Sequence, residues 1–110
     1  DAGGIGLAVR VNVGDETSVQ AMVDTVVEKF GRVDVLVNNA GMSPLYGSLT
    51  DVTEHLYDKV FAVNLKGPFR LTALVGSRMV ADGGGSIINI SSTGSIRPTP
   101  WIARSRSCPK

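Results

Sequence analysis

Hydrophobic residues along the chain follow two rhythms: short near-continuous runs, and stripes spaced by three and four. Val33-Asp34-Val35-Leu36-Val37 is a run of the first kind, closed by Asn38-Asn39-Ala40-Gly41. Such a run suits a strand buried on both faces of a parallel sheet. Leu7-Ala8-Val9-Arg10-Val11-Asn12-Val13 and Ser86-Ile87-Ile88-Asn89-Ile90-Ser91-Ser92 also read as strands, the second ending in hydroxyls. Between the first two strands, Val19, Met22, Val23, Val26, Val27 and Phe30 form one helical stripe. Asp15 or Thr17 offers its N-cap and Gly31 its stop. A second helix begins near Glu54, capped by Asp51 or Thr53, with Leu56, Val60, Phe61, Val63 and Leu65 as its apolar positions. Pro68 cannot donate to the Asn64 carbonyl, so a kink is expected there before the helix resumes through Phe69–Val80. The freed carbonyl is open to another donor such as water. Strand, helix, strand, helix, strand describes βαβ units, expected to be right-handed, hence an α/β fold with a parallel sheet.

Composition narrows the setting without naming a function. The chain has 110 residues, room for one small domain, and 43% of them are apolar. A net charge of +1 with interspersed acids and bases gives no reason to invoke nucleic acid. Cys108 is the single cysteine, which fits a reducing, cytoplasmic setting and rules out an internal disulfide. No run reaches transmembrane length and the first residues lack a basic-then-apolar signal pattern, so no membrane association is expected. His55 is the one histidine, placed beside Glu54 and Asp58 as a solvated surface residue. With no second histidine and no cysteine pair, no metal site is expected.

Candidate chemistry gathers at strand ends. Open α/β sheets bind ligands beyond the carboxyl ends of their strands, which is where Asn38-Asn39-Ala40-Gly41 and Ser91-Ser92 stand. Two amides before a small-residue turn are also ordinary turn chemistry, and paired hydroxyls alone say little. Gly4-Ile5-Gly6 resembles the end of a dinucleotide-binding glycine loop. No strand precedes it and a strand rather than a helix follows, so it reads as a plain loop.

Taken together, Asn38-Asn39-Ala40-Gly41, Asn64-Leu65-Lys66-Gly67 and Ser86–Ser92 resemble the short-chain dehydrogenase/reductase family at matching intervals. The resemblance covers roughly residues 7 to 103, the central part of a Rossmann-like NAD(P)-binding domain taken here as residues 1–103, its third to fifth strands and the helices between. It implies a partial Rossmann-like, doubly wound parallel sheet, NAD or NADP as cofactor and a small alcohol or carbonyl as substrate. By the family pattern, Asn12 and Val13 would contact adenine, while Asn39, Ala40 and Gly41 would line the adenosine ribose. Asn64 would hold a proton-relay water through its main chain, and Ser92 would position the substrate oxygen. The helix over residues 54–80 would serve homo-oligomer formation, as the middle helix does in the family.

The resemblance also has an edge. The family's tyrosine and lysine would fall at positions 105 and 109, which hold Ser105 and Pro109, and residues 104–110 form a non-matching tail. A phenol ionises at about pH 10, so that lysine is what makes the tyrosine a usable base. Ser92 cannot replace it, because a free hydroxyl needs a partner base. The sequence therefore reads as a fragment of an oxidoreductase that moves hydride between NAD(P) and an alcohol or carbonyl, inactive by itself. The competing reading is a non-catalytic remnant of the same fold that binds a nucleotide or a partner.

Overall fold

The computed structural model describes residues 3–97. Ser105, Cys108, Pro109 and the rest of the 104–110 tail lie outside them.

Helix α1 spans Glu16–Phe30, and of its two candidate caps Asp15 is the one used. The Asp15 side chain accepts a 2.9 Å bond from the Ser18 N–H, satisfying one of the helix's orphan donors. Gly31 ends it in the left-handed region at φ 84°, where a side chain would be strained, and its N–H returns to the Val27 carbonyl. Strand β1 follows over Val35–Asn38. After a 3₁₀ turn at Leu49–Asp51, helix α2 covers Glu54–Phe61 with Thr53 as its cap.

The kink expected at Pro68 takes a specific form. Residues Ala62–Lys66 make a π-helical turn, in which the Gly67 N–H reaches back five residues to the Ala62 carbonyl. Pro68 has no N–H for the Asn64 carbonyl, and the wider turn takes up the break in the ladder. Helix α3 then runs Gly67–Ala81, longer than expected by a turn in total, with Pro68 in its first turn where a missing donor costs least. A turn at Asp82-Gly83 and two further glycines lead to strand β2 over Ser86–Asn89.

Strands β1 and β2 pair in parallel, with Val35 opposite Ser86 and Asn38 opposite Asn89. The crossover between them carries α2, the π turn and α3, a βαβ unit as expected. Leu36 and Ile87 face α3 and join a core whose buried centre is Val19 and Val23 of α1 with Leu71, Val75 and Met79 of α3. Salt bridges between Glu16 and Arg70, and between Asp24 and Arg78, connect the two helices at their solvent side.

Two expectations need correction. Leu7–Val13 is not a strand: residues 4–12 belong to no ladder, and Val13-Gly14 form a turn. A strand exists only against a partner, and among the described residues the sheet consists of β1 and β2 alone. The Asn12 N–H is spent instead on the Ser18 Oγ at the start of α1, at 2.8 Å. Nor is the sheet buried on both faces. Val35, Val37, Ile88 and Ile90 are about half exposed, and the register puts Val37 beside Ile88 on the side away from α3. Among the described residues, helices cover one face only. None of the described helices is long and apolar enough to cross a membrane.

Candidate functional site

Parallel pairing brings the carboxyl ends of β1 and β2 to the same edge of the sheet. Asn38 closes β1 there and is the one buried polar residue among those described, 6% exposed. Its Nδ2 donates to the Asn89 Oδ1 at 2.9 Å and to the Thr72 Oγ1 at 3.3 Å, joining both strands to α3. Its Oδ1 is buried without a hydrogen-bond partner. The sequence signalled an amide at this position, but not that it would be an internal brace. Only the pairing of the two strands puts Asn89 opposite it.

Beyond Asn38 the chain turns through Asn39, Ala40 and Gly41, all exposed. Across from this turn lies Asn12-Val13. Arg10, Val11, Asn12, Val13, Ser18 and Ala40 line an open groove of about 600 Å³. Val13, Asn38, Asn39 and Ala40 also border a smaller cleft of about 280 Å³, floored by Leu71 and closed at one side by Pro68. Asn12, Val13, Asn39 and Ala40, named separately from the sequence, thus share the walls of two adjoining clefts. Within its own turn Asn12 accepts the Gly14 N–H on Oδ1 at 3.0 Å, and its carbonyl accepts the Asp15 N–H. That use of Oδ1 leaves Nδ2 as the donor Asn12 can offer a ligand.

Asn64 sits in the π turn, and its side chain does something the sequence did not reveal. Oδ1 accepts the Met42 N–H and Nδ2 donates to the Met42 carbonyl, each at 2.8 Å. This reciprocal pair fixes the chain immediately after Gly41, whose Cα side lies close to the same Asn64 Oδ1. The loop it secures, with α2, walls a groove of about 790 Å³ that includes Tyr46, Tyr57 and Phe61, the last two stacked at 4.3 Å.

Ser92 stands apart from this cluster. It follows β2, and its Oγ accepts the Gly94 N–H at 3.2 Å as the cap of a 3₁₀ turn over Thr93–Ser95. The hydrogen bonds at Ser91, Ser92 and Ser95 stay within this turn. Ser92 shares the strand-end edge with Asn39–Gly41, while its described contacts are local. His55 is exposed at the start of α2, away from both clefts.

A family profile described as short chain dehydrogenase matches residues 2–104. The chain belongs to the short-chain dehydrogenase family. Similar curated proteins include dehydrogenase/reductase SDR family member 4 from Pongo abelii, 39% identical over 103 residues that make up 91% of this chain and 37% of that protein. A 3-oxoacyl-[acyl-carrier-protein] reductase from Thermotoga maritima is 42% identical over 90 residues, 82% of this chain and 36% of the relative. Among solved structures, a metagenomic short-chain oxidoreductase in complex with NADP superposes with a TM-score of 0.82 at 36% identity, covering 89% of this chain and 44% of that one. ElxO with NADP bound gives 0.75 at 34% identity, with coverages of 84% and 38%. The chain therefore spans less than half the length of these short-chain dehydrogenases. At the level of the family the cofactor is NAD(P), and the architecture is a partial Rossmann-like fold.

Proposed function

We propose that this chain is the central part of an NAD(P)-dependent oxidoreductase that interconverts an alcohol and a carbonyl by hydride transfer. The observation that carries the reading is the convergence of Asn12, Val13, Asn39 and Ala40 on adjoining clefts at the carboxyl edge of the sheet. The residues suit a flat, polar-edged ring and a sugar. Asn12 retains an amide donor, Val13 gives an apolar wall, and Ala40-Gly41 present backbone with little side chain in the way. When bound, the dinucleotide supplies or accepts the hydride.

In this reading Asn12 and Val13 hold the adenine, and Asn39, Ala40 and Gly41 line its ribose. The Asn64 main-chain carbonyl holds a water for proton relay, while its side chain keeps the ribose-lining turn in place through Met42. Ser92 orients the substrate oxygen with its hydroxyl, which can both donate and accept. A proton must still be taken from the alcohol, and the chain's two tyrosines, Tyr46 and Tyr57, lie in the loop and helix of the 790 Å³ groove rather than after Ser92. The 110 residues alone thus bind nucleotide without turning substrate over. Phe61, Leu65 and Phe69 are 45%, 61% and 66% exposed and line one open groove. That apolar row supports self-association through the 54–80 helix.

The test is a titration of the 110-residue chain with NADPH and NADH followed by nucleotide fluorescence, with ADP-ribose as competitor. Saturable binding that ADP-ribose displaces, weakened by the space-filling change Ala40→Phe, is the expected result. Absence of saturable binding to either nucleotide overturns the reading. Turnover of an alcohol or carbonyl by the pure chain overturns the claim that it is inactive alone.

A further inference from the structure

Gly67 is buried at the first position of α3, in ordinary right-handed helical geometry at φ −59°. Its lack of a side chain is therefore not a conformational requirement. It is a requirement of space: a Cβ there would stand 2.5 Å from the Val13 carbonyl oxygen and 3.1 Å from the Val13 carbonyl carbon. Relieving that overlap to an ordinary carbon–oxygen contact means a shift of roughly 1 Å. A second contact repeats the pattern one residue on, where a Cβ at Gly14 would meet the Ala62 Cβ at 3.2 Å. The Asn12–Gly14 turn thus rests directly on the π turn and the start of α3, Gly67 against the Val13 backbone and Gly14 against the Ala62 Cβ.

Which side would yield is set by the anchoring. Helix α3 is held by Leu71, Val75 and Met79 in the core, whereas the turn is partly exposed and tied by its own bonds to Ser18 and Asp15. A side chain at position 67 therefore lifts Val13, and Asn12 with it, off the helix. We propose that Gly67 is a positioning residue for nucleotide binding, setting through the Val13 backbone the place of the Asn12-Val13 adenine contact. The proposal rests on the reading given under Proposed function and names a residue that touches no ligand itself.

The experiment compares Gly67→Ala with Gly76→Ala in the full chain. Gly76 lies on the same helix, and a Cβ there makes only an ordinary 3.7 Å contact with the Ile87 Cδ1. Dissociation constants for NADPH are measured beside amide spectra and thermal midpoints. Gly67→Ala is expected to weaken NADPH by about tenfold or more, with amide shifts concentrated at Asn12–Asp15, while Gly76→Ala binds as the parent does. If Gly67→Ala fails to fold, Gly14→Ala takes its place, with a smaller loss in the same direction. Parent-like affinity in a folded Gly67→Ala, or failing that in Gly14→Ala, overturns the proposal. Equal loss in Gly76→Ala also overturns it, since the effect would then belong to the helix at large. A parent chain that binds no NADPH is a different failure, that of the functional reading.

Discussion

At the scale of single residues, Asn64 shows how one side chain ties together segments distant in sequence. The sequence showed Asn64 only as a residue four before a proline, and the family resemblance gave its main-chain carbonyl a role. Its side chain's grip on Met42 was not legible, because the two lie 22 residues apart and meet only once the π turn and the loop after β1 are both in place. Two bonds of net worth about 0.5–1.5 kcal/mol each set the scale of what it holds. Asn64→Ala is expected to cost about 1–3 kcal/mol and to speed hydrogen exchange at the Met42 amide. Exchange measured by NMR checks this, and an unchanged rate would put the order of that loop elsewhere. Asn38 is the opposite case. Its amide stood in plain view at the end of a strand, yet its burial and its bonds to Asn89 and Thr72 depend on strand pairing and on α3.

At the scale of elements, local signals served well where the physics is local. Asp15 and Thr53 mark helix boundaries through their side-chain oxygens, Gly31 and Pro68 through their backbones, and each lies where the structure begins, ends or interrupts a helix. Strands are different, since a β-forming run becomes a strand only with a neighbour. That is why Leu7–Val13 carries the pattern of a strand but not its pairing, while the less apolar Ser86–Asn89 is in the sheet. Helix α1 allows a clean measurement. Asp15→Ala removes the acceptor of the Ser18 N–H and is expected to lower stability by about 1 kcal/mol, with Asp15→Asn close to the parent. Urea titration followed by circular dichroism would show it, and equal losses in both variants would mean charge rather than capping is at work. In the core, Met79→Ala should cost more, about 2–5 kcal/mol, because Met79 is 4% exposed, belongs to the buried cluster and lies against Gly85. A loss near zero in the same titration would mean the site collapses around the gap.

At the scale of the whole molecule, the described residues form two layers, helices against one face of a two-stranded sheet. The other face, Val35, Val37, Ile88 and Ile90, is apolar and open, beside backbone edges that lack partners among those residues. Such surfaces template association. Light scattering of the pure chain is expected to rise with concentration, and Val37→Lys or Ile88→Lys to reduce it. If neither change matters, association runs instead through Phe61, Leu65 and Phe69. The parallel crossover has one more consequence, and it concerns time. Asn38 and Asn89, partners in the ladder, are separated by 51 residues. A ribosome adding about 5–20 residues per second would make β2 about 3–10 s after β1. Until then Asn38 has no Asn89 to bond, and the valines of β1 have no β2 beside them. The interval in which a nascent chain is most exposed to wrong partners, and most in need of a holding chaperone, is thus written into the length of its crossover.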